Sequence, residues 1–298
     1  MDLHTLDQLK KEKDCILLAH YYVDGDVQAA ADYVGDSFTL AKTATQVDAE
    51  HIIMAGVQFM GETVKILNPD KHVYLPDLEA DCPMAHMVDV DKIEAMREKY
   101  DDLAVVCYVN STAEIKAHSD YCCTSSNAAK IVAAIDSKHI FFIPDGNLGR
   151  NIQSQFPDKE FIFNDGCCPV HDEISAEEIK SLKAQYPGAP VFVHPECKPE
   201  VLALADYAGS TKGILKAVAD FDKETNIIVT EEGLLWELEQ TYPGKTFVFP
   251  DMICEDMKKI TLEEVVDILN TGKNEIDVDP KLAERAKVPL DRMLDICG

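Results

Sequence analysis

Three cysteines recur at one spacing in this chain of 298 residues. Cys82, Cys168 and Cys254 are separated by 86 residues and again by 86, and each stands just beyond an apolar run that predicts a β-strand. Three thiols at the matching place of three repeated units would converge on one axis. Zinc would need a fourth ligand, commonly histidine or water, whereas three thiolates suit a [4Fe–4S] cluster and leave one iron open as a Lewis acid. Packing as small buried hydrophobes is the alternative interpretation.

The neighbourhood of the second cysteine offers two further candidates. Cys167 is adjacent to Cys168, but Cys168 completes the equal spacing and is therefore the predicted ligand. His171 follows three residues later, where it could be a metal ligand or a hydrogen-bond donor to one.

Polar residues also recur at the start of three segments of equal length, residues 20–42, 108–130 and 194–216. Aligned without gaps, the segments match His20 with Tyr108 and His194, and Tyr22 with Asn110 and Glu196. Each segment follows an apolar, β-rich run, so its first residue stands at the carboxyl end of a predicted strand, where open α/β sheets bind ligands. These side chains are therefore expected to face the same pocket as the cysteines.

Glu196 is the only acid among its three equivalents. Nearby anions and apolar sheet edges are expected to raise its pKa toward the range of an acid–base catalyst. The alternative is a carboxylate that only orients His194.

Hydroxyl side chains recur where each segment enters its predicted helix. Ser37, Ser125 and Thr211 occupy equivalent positions, where they could cap the helix and present backbone N–H groups to an anion. The pattern predicts an anion cradle. The aspartate–tyrosine pairs at 32–33, 120–121 and 206–207 recur as well, but we expect them inside helices with a structural role.

The elements that position these residues read as three β-α-β-α-β units, nine strands in all, each unit preceded by a helix. The predicted fold class is α/β: three pseudo-symmetric, three-layer αβα domains, each with a small parallel sheet, arranged as a triangle around a central site. The predicted domains are residues 1–86, 87–172 and 173–298. The last includes a C-terminal helical segment that we expect to pack back on the first domain.

Composition narrows the class of protein. The formal net charge of −26 argues against a nucleic-acid partner, which would require a basic face. No stretch approaches the roughly 18 continuous apolar residues of a membrane span, and the N-terminal residues resemble an amphipathic helix rather than a signal peptide. We therefore expect a cytoplasmic protein without a membrane partner, whose 10 cysteines are reduced or bind metal.

Together the motifs resemble the quinolinate synthase (NadA) family from end to end. They are LAHYY near residue 20, GDS at 35–37, CPMA at 82–85, YVNS at 108–111, CTSSNA at 123–128, CPVH at 168–171, HPE at 194–196, GST at 209–211 and MKKITLEEV at 257–265. The resemblance implies a transferase of NAD (pyridine nucleotide) biosynthesis that condenses iminoaspartate with dihydroxyacetone phosphate, giving quinolinate, phosphate and water. It also implies an L-aspartate oxidase or dehydrogenase upstream as the source of iminoaspartate.

The same resemblance assigns residues. A [4Fe–4S] cluster with one open iron would be held by Cys82, Cys168 and Cys254. Catalytic roles would fall to Tyr22, Glu196, His194, His20 and Tyr108. Substrate binding would involve His20, Asp36, Ser37, Tyr108, Asn110, Ser125, His194, Glu196 and Thr211.

Two other functions compete with this interpretation. A non-catalytic iron–sulfur sensor would need an exposed cluster and a partner surface, and no basic patch for nucleic acid is evident. A hydro-lyase acting on a hydroxy acid could use a similar three-cysteine cluster. An assay for quinolinate formation separates the three.

Overall fold

The computed structural model describes residues 3–298, and its strands form three sheets. The first contains β1 (Cys15–His20), β2 (Tyr33–Gly35), β3 (His51–Ala55) and β4 (His72–Tyr74), joined by β13 (Glu275–Ile276). The second contains β5 (Leu103–Tyr108), β6 (Tyr121–Cys123), β7 (His139–Ile143) and β8 (Glu160–Phe163). The third contains β9 (Val191–Val193), β10 (Tyr207–Ala208), β11 (Thr225–Val229) and β12 (Thr246–Val248).

Helices cover the sheets and connect their strands. The first unit has α1 (Leu3–Glu12), α2 (Gly25–Ala30), α3 (Ser37–Ala44) and α4 (Gln58–Leu67). The second has α5 (Val90–Lys99), α6 (Ala113–Ala117), α7 (Ala128–Ala133), α8 (Gly146–Gln153) and α9 (Pro169–Glu173). The third has α10 (Ala176–Gln185), α11 (Pro199–Leu202), α12 (Thr211–Ala217), α13 (Leu234–Thr241) and α14 (Glu255–Lys258). The chain ends with α15 (Leu262–Thr271) and α16 (Pro280–Cys297), and 3₁₀ turns span Pro83–His86 and Val218–Asp220.

The predicted α/β class with three parallel-dominated sheets is confirmed. In each sheet the second strand lies beside the first, and the third and fourth follow on the other side, with all these neighbours parallel. The chain therefore changes direction across the sheet between the first and third strands. Such a switch point opens a crevice at the carboxyl ends of the strands. Three equivalent crevices are thus available for one central site.

The prediction of nine strands is wrong, because each unit has an additional short strand: β2, β6 and β10. The recurrent aspartate–tyrosine pairs lie at the start of these strands and not inside helices. Strands of two or three residues are too short to show the alternation by which a sequence reveals a strand. The structural role expected of the aspartates is confirmed by their hydrogen bonds to backbone N–H groups of the neighbouring strand.

Helices α5, α10 and α15 begin where side chains cap their first N–H groups. Ser175 and Glu178 form a capping box on α10, and Thr261 and Glu264 form one on α15. Asp89 caps α5 through the Lys92 N–H. These caps define where the three helices begin.

The first two sheets share one continuous apolar core, whereas the third sheet has separate cores on its two faces. The C-terminal segment lies across the first two units. Strand β13 pairs antiparallel with β4, and α16 packs against α4, α6, α7 and β6. Apolar residues of α16, including Ala286, Leu290 and Met293, are fully buried there.

Domain boundaries at residues 86 and 172 stay predictions. The strands of the three sheets span residues 15–74, 103–163 and 191–248, so the connecting segments could be assigned to either side. Among residues 3–298, no helix combines the length and the apolar character needed to cross a membrane.

Candidate active site

One cavity at the carboxyl ends of the strands receives side chains from all three units. It brings together every residue that the sequence analysis assigned to the site, although their individual roles stay predictions. They are His20, Tyr22, Asp36, Ser37, Cys82, Tyr108, Asn110, Ser125, Cys168, His194, Glu196, Thr211 and Cys254.

The three predicted cysteine ligands have equivalent surroundings. Each immediately precedes a short helical element that starts at Pro83, Pro169 or Glu255. Backbone N–H groups of these turns act to lower the pKa values of the thiols, which favours the thiolate form. Burial nevertheless raises the pKa of Cys82 to about 12, and it also raises the pKa values of Cys168 and Cys254.

This donor set fits an iron–sulfur cluster. Charge on Cys254 raises the pKa of Cys82, and charge on Cys82 raises that of Cys168, so the thiols lie within electrostatic reach of one another. Three buried thiolates would repel unless a cationic centre lay between them. Cys167 does not line the cavity, and its backbone N–H donates to Met87 Sδ at 3.4 Å. A second arrangement that could hold a metal ion is Cys168, His171 and Glu196, whose ligand atoms lie within 4.8 Å of one another.

Glu196 lies between two histidines at the centre of the cavity. Its carboxylate is 2.8 Å from His171 Nδ1 and 3.5 Å from His194 Nδ1, and all three side chains are buried. Burial alone would raise the pKa of Glu196, but the two histidines and the Tyr108 hydroxyl lower it to about 2. The expectation of a raised pKa is therefore wrong. The carboxylate is ionised and can accept a proton.

Two histidines and two tyrosines of the cavity are held neutral. Burial lowers the pKa of His20 to about 4 and that of His194 to about 3. Burial also raises the pKa values of Tyr22 and Tyr108 well above the usual range, with the Glu196 charge acting in the same direction. The backbone N–H of Tyr22 donates to His20 Nδ1 at 3.2 Å, and that of Glu196 approaches His194 Nδ1 at 3.4 Å.

The hydroxyl residues occupy the helix starts less uniformly than predicted. Ser37 and Thr211 are the first residues of α3 and α12, but the caps are their predecessors, Asp36 and Ser210. Asp36 accepts from the Thr39 N–H at 2.8 Å. Ser125 lies three residues before α7, in the turn stabilised by Asn127. The expectation that all three hydroxyls cap helices is wrong, yet all three line the cavity.

Asn110 presents a polar atom without a protein partner. Its Oδ1 is buried and accepts no hydrogen bond among residues 3–298. An orphaned buried acceptor costs free energy, so a donor group on a ligand is the natural partner for it.

Comparison with known proteins fits this geometry. The family profile of NadA, described as quinolinate synthetase A protein, matches residues 4–295. The chain belongs to the quinolinate synthetase A family. The predicted resemblance is thereby confirmed.

Curated relatives of this family member are similar over nearly their whole length. A quinolinate synthase of Fusobacterium nucleatum is 54% identical over 98% of this chain and 98% of that protein. Those of Clostridioides difficile and Aquifex aeolicus are 47% and 45% identical, covering 95% and 97% of this chain and 94% and 92% of those proteins.

Sequence reasoning missed one charged residue of this family member's cavity. Glu231 is fully buried, lines the cavity and accepts hydrogen bonds from the N–H groups of Gly233 at 2.7 Å and Cys254 at 3.2 Å. Lys258 lies 3.1 Å from Glu231 and donates to the Tyr22 carbonyl at 3.0 Å. Glu231 follows β11 as Asp145 follows β7, so the repeat itself carried a signal for it.

The second unit holds the loop that carries Glu196. Asn147 and Asn151, one turn apart on α8, donate to the backbone carbonyls of Glu196 at 3.3 Å and of Pro195. The third unit holds the Tyr22 loop in turn, since Gln28 joins the carbonyls of Tyr21 and Val23 to that of Gly233. Neighbouring units therefore hold the loops that carry Glu196 and Tyr22.

Proposed function

We propose that this protein is a quinolinate synthase that condenses iminoaspartate with dihydroxyacetone phosphate to give quinolinate, phosphate and water. The single observation that supports it most is the convergence of three thiols, three hydroxyl residues near helix starts and an ionised glutamate in one cavity. Membership of the quinolinate synthetase A family supports the same reaction.

Both substrates are anions, and the cavity offers them neutral donors. Ser37 and Thr211 open α3 and α12, where backbone N–H groups and the helix dipole favour negative charge. With Ser125 they would hold the phosphate and carboxylate groups. The unpartnered Asn110 Oδ1 would accept from the imine N–H or a hydroxyl of a substrate.

The condensation also requires proton transfers, and the cavity separates acceptor from donors. Glu196 is ionised and can take a proton from a substrate carbon or nitrogen. Tyr22 and Tyr108 keep their protons because burial raises their pKa values. The neutral imidazoles of His20 and His194 can hold or orient substrate groups.

Cys82, Cys168 and Cys254 would hold a [4Fe–4S] cluster. When bound, its open iron would supply Lewis acidity that helps a substrate hydroxyl to leave as water. An L-aspartate oxidase or dehydrogenase would supply iminoaspartate, and a cytoplasmic location remains an expectation.

An anaerobic assay of the reconstituted full-length protein tests this proposal. With iminoaspartate generated in the assay and dihydroxyacetone phosphate added, we expect quinolinate and phosphate to appear together. Protein with a full complement of iron and sulfide that forms no quinolinate would contradict the proposed reaction, and would leave the hydro-lyase or the sensor as the better interpretation.

A further inference from the structure

Thr230 connects two side chains that line the cavity. Its side chain is fully buried directly after β11. The Thr230 hydroxyl lies 2.8 Å from the Tyr22 hydroxyl and 3.0 Å from His171 Nε2. The Tyr22 hydroxyl is also 2.8 Å from Thr211 Oγ1. A continuous chain of hydrogen bonds therefore runs from Thr211 to Glu196 and crosses all three units.

The donor and the acceptor in each hydrogen bond of this chain can be deduced by starting from the Glu196 carboxylate. His171 Nδ1 faces the Glu196 carboxylate at 2.8 Å and the Cys168 sulfur at 3.2 Å. An ionised carboxylate only accepts, so Nδ1 must carry a hydrogen. In a ring that carries one hydrogen, Nε2 is then an acceptor and Thr230 donates to it.

The single proton of the Thr230 hydroxyl is used in that bond. Thr230 therefore accepts from Tyr22, and Tyr22 in turn accepts from Thr211. One orientation of every proton satisfies all the members of the chain. Replacing the central hydroxyl by a methyl group would leave the Tyr22 hydroxyl without this acceptor and His171 Nε2 without its donor.

We propose that Thr230 is a positioning residue that fixes the orientations of the Tyr22 hydroxyl and of the His171 ring, thereby linking Tyr22 to Glu196 through His171. Thr230 itself need not touch a substrate. This inference rests on the proposed function for the roles of Tyr22 and Glu196. Thr230 belongs to the third unit and would hold in place side chains of the first and second units.

Two substitutions separate positioning from simple packing. Thr230→Val has nearly the shape of threonine but no hydroxyl, whereas Thr230→Ser keeps the hydroxyl and loses a methyl group. We expect the turnover number of Thr230→Val to fall about ten-fold, the scale of one buried hydrogen bond, with KM and iron content little changed. Thr230→Ser should recover most of the turnover.

Thr63→Val is the matched control. Thr63 is also buried, but its hydroxyl donates to the Phe59 carbonyl within α4 and takes no part in the chain. Its turnover number should remain close to that of the unsubstituted protein. Equal losses in Thr230→Val and Thr230→Ser, or full turnover in Thr230→Val, would overturn the proposal.

A second readout needs no substrate. In full-length protein labelled with ¹⁵N-histidine and studied before cluster reconstitution, the His171 signals can be assigned from their loss in His171→Gln. We expect the Nδ1–H tautomer in both proteins, and a changed Nε2 chemical shift in Thr230→Val because Nε2 loses its donor. The Nε2–H tautomer or a doubly protonated ring in the unsubstituted protein would overturn the deduced direction. If the tautomer is as expected but no quinolinate forms, the proposed function fails and the hydrogen-bond chain stands.

Discussion

Of two positions that recur in every unit, one holds the same residue type each time and the other holds different residue types. At the start of β2, β6 and β10 the repeat keeps the same residue: Asp32, Asp120 and Asp206 accept from backbone N–H groups of β1, β5 and β9 at 2.7, 2.8 and 2.9 Å. At the ends of β1, β5 and β9, facing the cavity, the matched residues differ, being histidine, tyrosine and histidine.

The helices that precede these strands also carry similar residues at equivalent positions. Lys10, Arg97 and Lys183 of α1, α5 and α10 each donate to a backbone carbonyl two residues before the aspartate. These hydrogen bonds have the same structural role in each unit, so the same kind of side chain is found three times. Under the proposed function the strand-end residues would act together on one unsymmetrical reaction, which would explain why these equivalent positions carry different functional groups. At these positions identity between repeats accompanies a structural role and divergence accompanies a place in the cavity. The three identical cysteines are the exception, since they would share one metal centre.

The largest effect at a single divergent position is expected for Glu196→Gln. The substitution keeps the shape but removes the charge between His171 and His194, so it cannot accept a proton. We expect the turnover number to fall roughly 100-fold or more, with KM and iron content little changed, as steady-state kinetics and iron analysis would show. Glu200→Gln, at an exposed position of α11, is the control. Near-normal turnover of Glu196→Gln would remove this residue from acid–base chemistry.

A smaller effect is expected where the repeat keeps a hydroxyl but not the same residue. Ser37→Ala, Ser125→Ala and Thr211→Ala should each weaken binding of malate or dihydroxyacetone phosphate by roughly ten- to 100-fold, because each loses a hydrogen bond to a charged group. Calorimetric titration measures the affinity, and an unchanged visible spectrum of the cluster is the control. Unaltered affinity in all three variants would refute the anion cradle.

At the positions that hold aspartate in all three units, substitution should reduce stability without reducing turnover. Asp32→Ala, Asp120→Ala and Asp206→Ala should each reduce the free energy of unfolding by about 1.5–3 kcal/mol, since each removes a charged acceptor from a strand N–H group. The turnover number per folded molecule should stay nearly constant. Urea denaturation together with activity measurements tests this. A selective loss of turnover in one variant would show that its aspartate has more than a structural role.

The repeat explains how much of the site the sequence revealed. Equal spacing placed Cys82, Cys168 and Cys254 at matching turns, and strand-end positions located His20 and Glu196 without any knowledge of packing. Electrostatic interactions between residues of different units could not be predicted from the spacing in the sequence. The pKa of Glu196 depends on His171, which belongs to the second unit and approaches only in the folded chain. Thr230 was missed for the same reason, because its partners come from two other units.

Neighbouring cysteines provide the most direct test of the central claim, that matching positions of three units place three thiols around one metal centre. Cys168 lines the cavity and completes the spacing, while the adjacent Cys167 does not line it. Cys167→Ala and Cys168→Ala should be reconstituted anaerobically and compared for iron, sulfide and quinolinate formation. We predict a full cluster and activity in Cys167→Ala and the loss of both in Cys168→Ala. Cluster and activity retained in Cys168→Ala but lost in Cys167→Ala would contradict the account.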